Sequence, residues 1–290
     1  MIENTAKKII VALCYDFDKT LCPKDMQEYA LFDKLRINAS QFWELCDIQA
    51  KNNGMDKVLS YMKMTVEMAA RNEYCLTKSD FFDMGKQVEL YQGVQTWFNR
   101  INTYAEKLNI NLEHYIISAG QQEIIEGVSI AKYIKAIFAS EFVYNQNENP
   151  IWPKRVVNYT QKTQYMYRIN KGALDLYDEQ KVNLAMPHDQ RRVPFRNMIY
   201  IGDSYTDIPA MSLLSSKGGF AIGVYNPVDD NTVAVKQLLM ENRISFFAPA
   251  DYRKGSKLEL LVTKILDNIK AKEELFMVEK QQKVAVVDGN

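Results

Sequence analysis

The feature that most constrains this chain is an apolar run near its start, Ile9-Ile-Val-Ala-Leu-Cys-Tyr15, which passes directly into Asp16-Phe-Asp-Lys-Thr20. A continuous, β-branched stretch of this kind suits a strand buried on both faces, the condition of a strand inside a parallel sheet. In open parallel sheets the binding crevice lies outside the carboxyl ends of the strands. The run therefore predicts that Asp16 and Asp18 emerge where such a sheet does its chemistry.

The pattern recurs. Met198–Ile201 reads as a strand running into Gly202-Asp203-Ser204-Tyr205-Thr206-Asp207, and His114–Ile117 as one running into Ser118-Ala119-Gly120. Ala136–Phe138, Phe220–Val224 and Ile244–Phe247 are further strand candidates. Phe142–Tyr144 and Arg155–Tyr159 flank Asn147-Glu-Asn-Pro150 as a hairpin. Helical spacing appears in Val58, Met62, Val66 and Ala69, and again in Val94, Trp97, Phe98, Ile101, Ala105 and Leu108. Further helices are expected from about Thr163 and over Lys257–Lys270, with Lys280–Asn290 as a loose tail. From Leu21 to Gln92 no strong strand signal occurs. Strands alternating with helices predict an α/β fold with a mostly parallel sheet.

The 36 Lys and Arg residues balance 36 Asp and Glu, which removes the electrostatic argument for a nucleic-acid or anionic-membrane partner. No segment approaches the roughly 18 apolar residues of a membrane-spanning helix, and Ile9–Cys14 is too short for a signal peptide. Cys14, Cys22, Cys46 and Cys75 show no CxxC spacing, and with His114 and His188 they make a poor zinc set. The expectation is a cytoplasmic protein with reduced thiols.

Of the paired acids, one carboxylate of Asp16 and Asp18 is suited to attack a phosphoryl group while the other handles protons. Asp203 offers a hard oxygen ligand of the kind Mg²⁺ takes. Asp207 reads as a supporting ligand ahead of the alternative, an acid at a helix start. Ser118, with the backbone N–H groups of Ala119 and Gly120, is suited to hold a phosphate oxygen, though Ser-Ala-Gly is also turn composition. A balancing cation would come from Lys162 or Lys171.

Taken in order, these motifs resemble the four loops of the haloacid dehalogenase (HAD) superfamily: DFDKT, IISAG, a Lys-led helix and GDSYTD. The resemblance implies a Rossmann-like, HAD-like core over residues 1–21 and 93–290, with a smaller α-helical cap over 22–92. It implies a phosphatase in which Asp16 is the nucleophile forming an aspartyl-phosphate and Asp18 the general acid and base. It further implies Mg²⁺ bound by the Asp16 carboxylate, the Asp18 main-chain carbonyl and Asp203, with Asp207 in support. Ser118 and Lys162 would hold phosphate oxygens, and Thr20 would orient the first loop. Retention of Asp18 implies phosphoryl transfer, since the dehalogenase branch lacks that second acid. The hairpin leading to Lys162 resembles the phosphoserine-phosphatase arrangement and favours Lys162, with Lys171 still open. The expected partner is a small phosphorylated metabolite. A phosphotransferase or mutase, and a non-catalytic regulatory protein keeping the metal pocket, are the alternatives.

Overall fold

The structure, a computed structural model, describes residues 8–203, 205–229 and 232–288. Ser204 of the last motif, and Gly289 and Asn290 of the expected tail, lie outside the described residues. Strands β1 (Ile9–Tyr15), β2 (Ile110–Gln121), β3 (Ile134–Tyr144), β4 (Pro150–Arg155), β5 (Met198–Gly202), β6 (Phe220–Tyr225) and β7 (Phe246–Pro249) form one sheet in the order β4-β3-β2-β1-β5-β6-β7. Neighbours are parallel except β3 and β4, which are antiparallel. β1 is central. Its Val11, Leu13 and Tyr15 enter the hydrophobic core on one face of the sheet and Ala12 and Cys14 the core on the other, which is why its sequence shows no polar alternation.

Helices α1 (Leu31–Lys34), α2 (Ala39–Asn53), α3 (Lys57–Arg71) and α4 (Lys78–Gly85) form a helical insert between β1 and α5 (Val94–Lys107). Their ends are written in the sequence. The Asn38 side chain accepts from Gln41 N at the start of α2, and Gly54 ends that helix in the left-handed region. Asp56 caps α3, and Thr77 with Asp80 makes a reciprocal capping box on α4. The remaining helices are α6 (Gln122–Gly127), α7 (Gln161–Lys171), α8 (Glu179–Asn183), α9 (Ile208–Ser216), α10 (Val233–Met240) and α11 (Lys257–Asp288).

The insert is fastened to the sheet side of the molecule. α4 packs on α6, and at Gly85 a Cβ atom would collide with the Ile124 carbonyl, as one at Gly127 would with that of Phe82. The β3–β4 turn adds further bonds, from Lys78 N to Glu148 O at 2.9 Å and from Asn149 Nδ2 to Leu76 O at 3.0 Å and Cys75 Sγ at 3.2 Å.

Several elements differ from their sequence-based extents. β2 does not stop at Ile117 but carries Ser118-Ala-Gly inside the strand. β3 is one strand where two separate pieces were expected, because its polar interruption is satisfied within the sheet: Ser140 Oγ donates to Ala119 O at 3.1 Å and accepts from Val157 N at 3.1 Å. The hairpin forms, but its second strand is Pro150–Arg155 and not Arg155–Tyr159. This strand lies at the sheet edge, where Pro150 and Pro153 are tolerated, and the Asn145 side chain closes the turn by accepting from Asn147 N and Asn149 N. β7 begins at Phe246, two residues later than the apolar run suggests. Lys280–Asp288 is no loose tail: α11 runs to Asp288, and the i,i+4 pairs Lys270–Glu274 and Lys283–Glu279 lie along it.

Candidate active site

Register brings the motifs together. Tyr15 at the end of β1 pairs with Ile116 of β2 on one side and with Ile201 of β5 on the other. With adjacent strands about 4.8 Å apart, the residues that follow share one edge of the sheet. Asp16 N donates to Ile201 O at 2.9 Å, tying the first motif to the strand that delivers Asp203.

Three carboxylates meet at this edge. Oxygens of Asp16, Asp203 and Asp207 lie within 4.8 Å of one another. Lys162, fully buried, enters from the first turn of α7, with Nζ 3.0 Å from Asp16 Oδ2 and 2.6 Å from Asp207 Oδ1. Asp207 Oδ1 also accepts from Tyr200 Oη at 2.7 Å, and Asp16 Oδ1 accepts from Phe17 N at 2.8 Å. Gly202 is required here, because a Cβ atom would overlap the Asp207 carboxylate. Lys171 sits at the far end of α7, about 13 Å along the helix axis. Its ammonium donates to the carbonyls of Val182 at 2.6 Å and Leu184 at 2.8 Å and takes no part in the carboxylate cluster.

Asp18 stands apart from that cluster. Its Oδ1 accepts from Met26 N at 2.8 Å, at the entry to the insert. The intervening turn is tight: Lys19 adopts φ 57°, in the left-handed region, and its ammonium pairs with Asp25 at 2.8 Å. Thr20 is buried; its carbonyl accepts from Tyr252 Oη at 2.8 Å, while Oγ1 has no partner among the described residues. Ser118 Oγ accepts from Gly120 N at 3.0 Å, and the Ala119 carbonyl accepts from Tyr61 Oη of the insert at 2.9 Å. At Gly120 a Cβ atom would meet the end of the Met26 side chain and approach Asp18 Oδ2.

The cluster carries three carboxylates against one ammonium. Burial, then the charge of Asp207, pushes the Asp16 carboxyl up to about 7 against the pull of Lys162. Asp203 is raised well above the ordinary carboxylate range by burial and by Asp207 and Asp16. Asp18 is raised by burial, then by Asp25 and Asp16. Burial pulls Lys162 down, but Asp16 and Asp207 outweigh it and hold the ammonium charged. A buried excess of negative charge presented by hard oxygens is the donor chemistry that suits a divalent cation such as Mg²⁺. The residues present therefore fit such an ion.

Several neighbours of the cluster were not named from the sequence. Tyr200 lies inside an apolar strand, Tyr61 on a Met-rich helix and Tyr252 in a C-terminal loop; each reaches the site through a contact distant in sequence or from the buried face of a strand. No local signal marks them. His114, weighed only as a zinc ligand, is a core residue: Trp97 Nε1 donates to Tyr15 Oη at 2.8 Å, Tyr15 Oη to His114 Nδ1 at 3.1 Å, and His114 Nε2 to Asn102 Oδ1 at 2.8 Å.

This architecture has relatives among solved structures. A substrate-bound phosphoserine phosphatase superimposes with a TM-score of 0.54 at 11% identity, covering 88% of this chain and 98% of that one. A HAD family hydrolase from Salmonella enterica serovar Typhi gives 0.53 at 15% identity, over 77% of this chain and 65% of its own. At these identities the likeness is one of fold. A protein of Borreliella burgdorferi, itself uncharacterised, is 29% identical over an alignment of 273 residues that covers 86% of this chain and 94% of that protein. The model of the haloacid dehalogenase-like hydrolases matches residues 13–212, from within β1 through the whole carboxylate cluster. The chain belongs to the haloacid dehalogenase-like hydrolase family.

Proposed function

We propose that this hydrolase is a Mg²⁺-dependent phosphatase that transfers the phosphoryl group of a small phosphomonoester to Asp16 and then to water. The observation that carries the reading is the buried Lys162 bridging Asp16 and Asp207, with Asp18 close by but outside the cluster. That separation gives two neighbouring acids different tasks.

Asp16 Oδ attacks phosphorus as the bond to the leaving oxygen breaks, and an acyl-phosphate forms on Asp16. Asp18, held protonated by burial and by Asp25 and Asp16, gives its proton to the leaving oxygen. A water then attacks phosphorus, Asp18 takes a proton from it, and the Asp16–phosphate bond breaks to release inorganic phosphate. Ser118 Oγ and the N–H groups beside it serve the non-bridging oxygens together with the Lys162 ammonium. The carboxylates of Asp16 and Asp203, supported by Asp207 and the Asp18 carbonyl, would hold Mg²⁺, which supplies charge neutralisation between nucleophile and phosphate. Residues 22–92 are the cap that selects the leaving group, and Tyr61 links it to the Ala119 carbonyl. The phosphatase assignment draws support from the phosphoserine phosphatases among the structural neighbours. A helical cap that closes over the site favours a small metabolite over a protein surface.

The test is release of inorganic phosphate from p-nitrophenyl phosphate and from a panel of phosphorylated metabolites, with Mg²⁺ and with excess chelator. Wild-type activity that vanishes with chelator and in Asp16→Asn supports the reading. Undiminished activity of Asp16→Asn would overturn it.

A further inference from the structure

The Ser118 motif sits on a break in the sheet. β2 pairs with β1 only as far as Ile116, and its register with β3 jumps from Ile117–Phe138 to Gln121–Ser140, so Ser118, Ala119 and Gly120 bulge from the ladder. Residues in a bulge lose their strand partners, and their backbone groups need others. At the Ala119 carbonyl two hydroxyls take that place. Ser140 Oγ, which accepts from Val157 N at 3.1 Å, donates to it at 3.1 Å. Tyr61 Oη, from α3 of the insert, donates to it at 2.9 Å.

The Ala119 carbonyl and the Gly120 N–H belong to one planar peptide, so fixing the first aims the second. Gly120 N donates to Ser118 Oγ at 3.0 Å. A hydroxyl that accepts in this way keeps its own proton for another acceptor, here a phosphate oxygen. The contacts therefore run from Tyr61 through one peptide to Ser118, and they end at the reacting groups. Tyr15 pairs with Ile116, so Asp16 and Ser118 leave adjacent strands at the same edge, and a Cβ atom at Gly120 would lie 3.1 Å from Asp18 Oδ2. The Tyr61 ring is itself held: it is buried, and Trp43 of α2 stands edge-on to it with centroids 6.0 Å apart. α3 meets the core a second time at its cap, where Asn158 Nδ2 donates to Asp56 Oδ2 at 2.6 Å and Asn158 O accepts from Lys162 N at 3.2 Å. One helix of the insert thus reaches both the Ser118 bulge and the segment that delivers Lys162.

We propose that Tyr61 is a positioning residue through which docking of the insert sets the phosphate site. With α3 seated, its hydroxyl holds the Ala119–Gly120 peptide in the orientation that presents Ser118; with α3 lifted, that bond is lost. The inference rests on the phosphatase reading given above. It adds that the insert governs phosphate affinity as well as covering the leaving group, and by linkage bound phosphate favours the seated insert.

The experiment measures binding of inorganic phosphate by calorimetry, at fixed Mg²⁺, in wild type, Tyr61→Phe and Tyr74→Phe. Phenylalanine at 61 keeps the ring against Trp43 and removes only the hydroxyl. Tyr74, whose hydroxyl donates to Asp80 and accepts from Lys34 within the insert, is the matched control. Tyr61→Phe is expected to weaken phosphate binding about three- to ten-fold, the scale of one net hydrogen bond. Tyr74→Phe should stay within about two-fold of wild type. A purely structural role for Tyr61 would lower the number of sites counted and not their affinity. Equal affinity in Tyr61→Phe and wild type would overturn this inference alone. Equal weakening in both variants would also overturn it, because the loss would then follow a loosened insert and not the Ala119 carbonyl. A wild type that binds no phosphate would overturn the phosphate-site reading, and this inference with it.

Discussion

The ammonium of Lys162 lies 3.0 Å from Oδ2 of Asp16, with the lysine wholly buried and the aspartate nearly so. An ion pair this deep is seldom favourable for stability in its own right, because desolvation of both charges opposes their attraction. Its presence on the first turn of α7, with Asp207 sharing the same ammonium, points to a use for the charge.

Lys162→Met is expected to cut phosphatase turnover by about 100-fold or more, the order seen when one preorganised donor to a developing charge is lost. It also leaves Asp16 and Asp207 without their cation, so unfolding by urea should show a loss of about 3 kcal/mol or more when no divalent ion is present. Lys171→Met is the matched control. Its ammonium serves the Val182 and Leu184 carbonyls, and its turnover should stay within about two-fold of wild type.

Gly85→Ala tests the fastening of the insert. At an open helical position this change would stabilise by about 1 kcal/mol. Here the added methyl meets the Ile124 carbonyl, so the sign should reverse, with a loss of about 1–3 kcal/mol in urea unfolding. A stabilised Gly85→Ala protein would show that α4 does not hold to α6 as described.

The core imidazole sets a pH dependence. Burial lowers the His114 pKa from 6.5 to about 3, so the folded protein leaves it neutral where the unfolded chain takes up a proton. Unfolding therefore binds a proton between these values, and stability falls as the pH drops below about 6.5. From pH 8 to pH 5 the loss from this residue should be about 2 kcal/mol. His114→Gln, which keeps a donor toward Asn102, should show a correspondingly flatter stability profile over the same range. A profile as steep as that of wild type would contradict the assignment.

Much of the site is legible in the sequence because its parts are local. Asp16 and Asp203 follow apolar strands and Ser118 continues the apolar run of β2, and strand order alone then brings them to one edge. Lys162 is less legible: the hairpin before it favours it only by resemblance, Lys171 stays open on local context, and the direction of α7 separates the two. Tyr61 and Tyr200 could not be picked out, since a tyrosine on an apolar face reads as core until its hydroxyl is followed to Ala119 or to Asp207. The extents of β3 and α11 were misjudged for one shared reason. A polar or weakly periodic stretch looks like a break unless its partner is known, as with Ser140 and the Ala119 carbonyl.

The most direct test of the central claim is to trap the covalent intermediate. During turnover of whichever phosphomonoester of the panel is hydrolysed fastest, borohydride would reduce an acyl-phosphate to the alcohol, and peptide mass spectrometry would locate the reduced residue. The account expects the modification at Asp16, dependent on both substrate and Mg²⁺, and enriched in Asp18→Asn if hydrolysis of the intermediate is slowed more than its formation. Phosphate release at the same rate with residue 16 unmodified would contradict it.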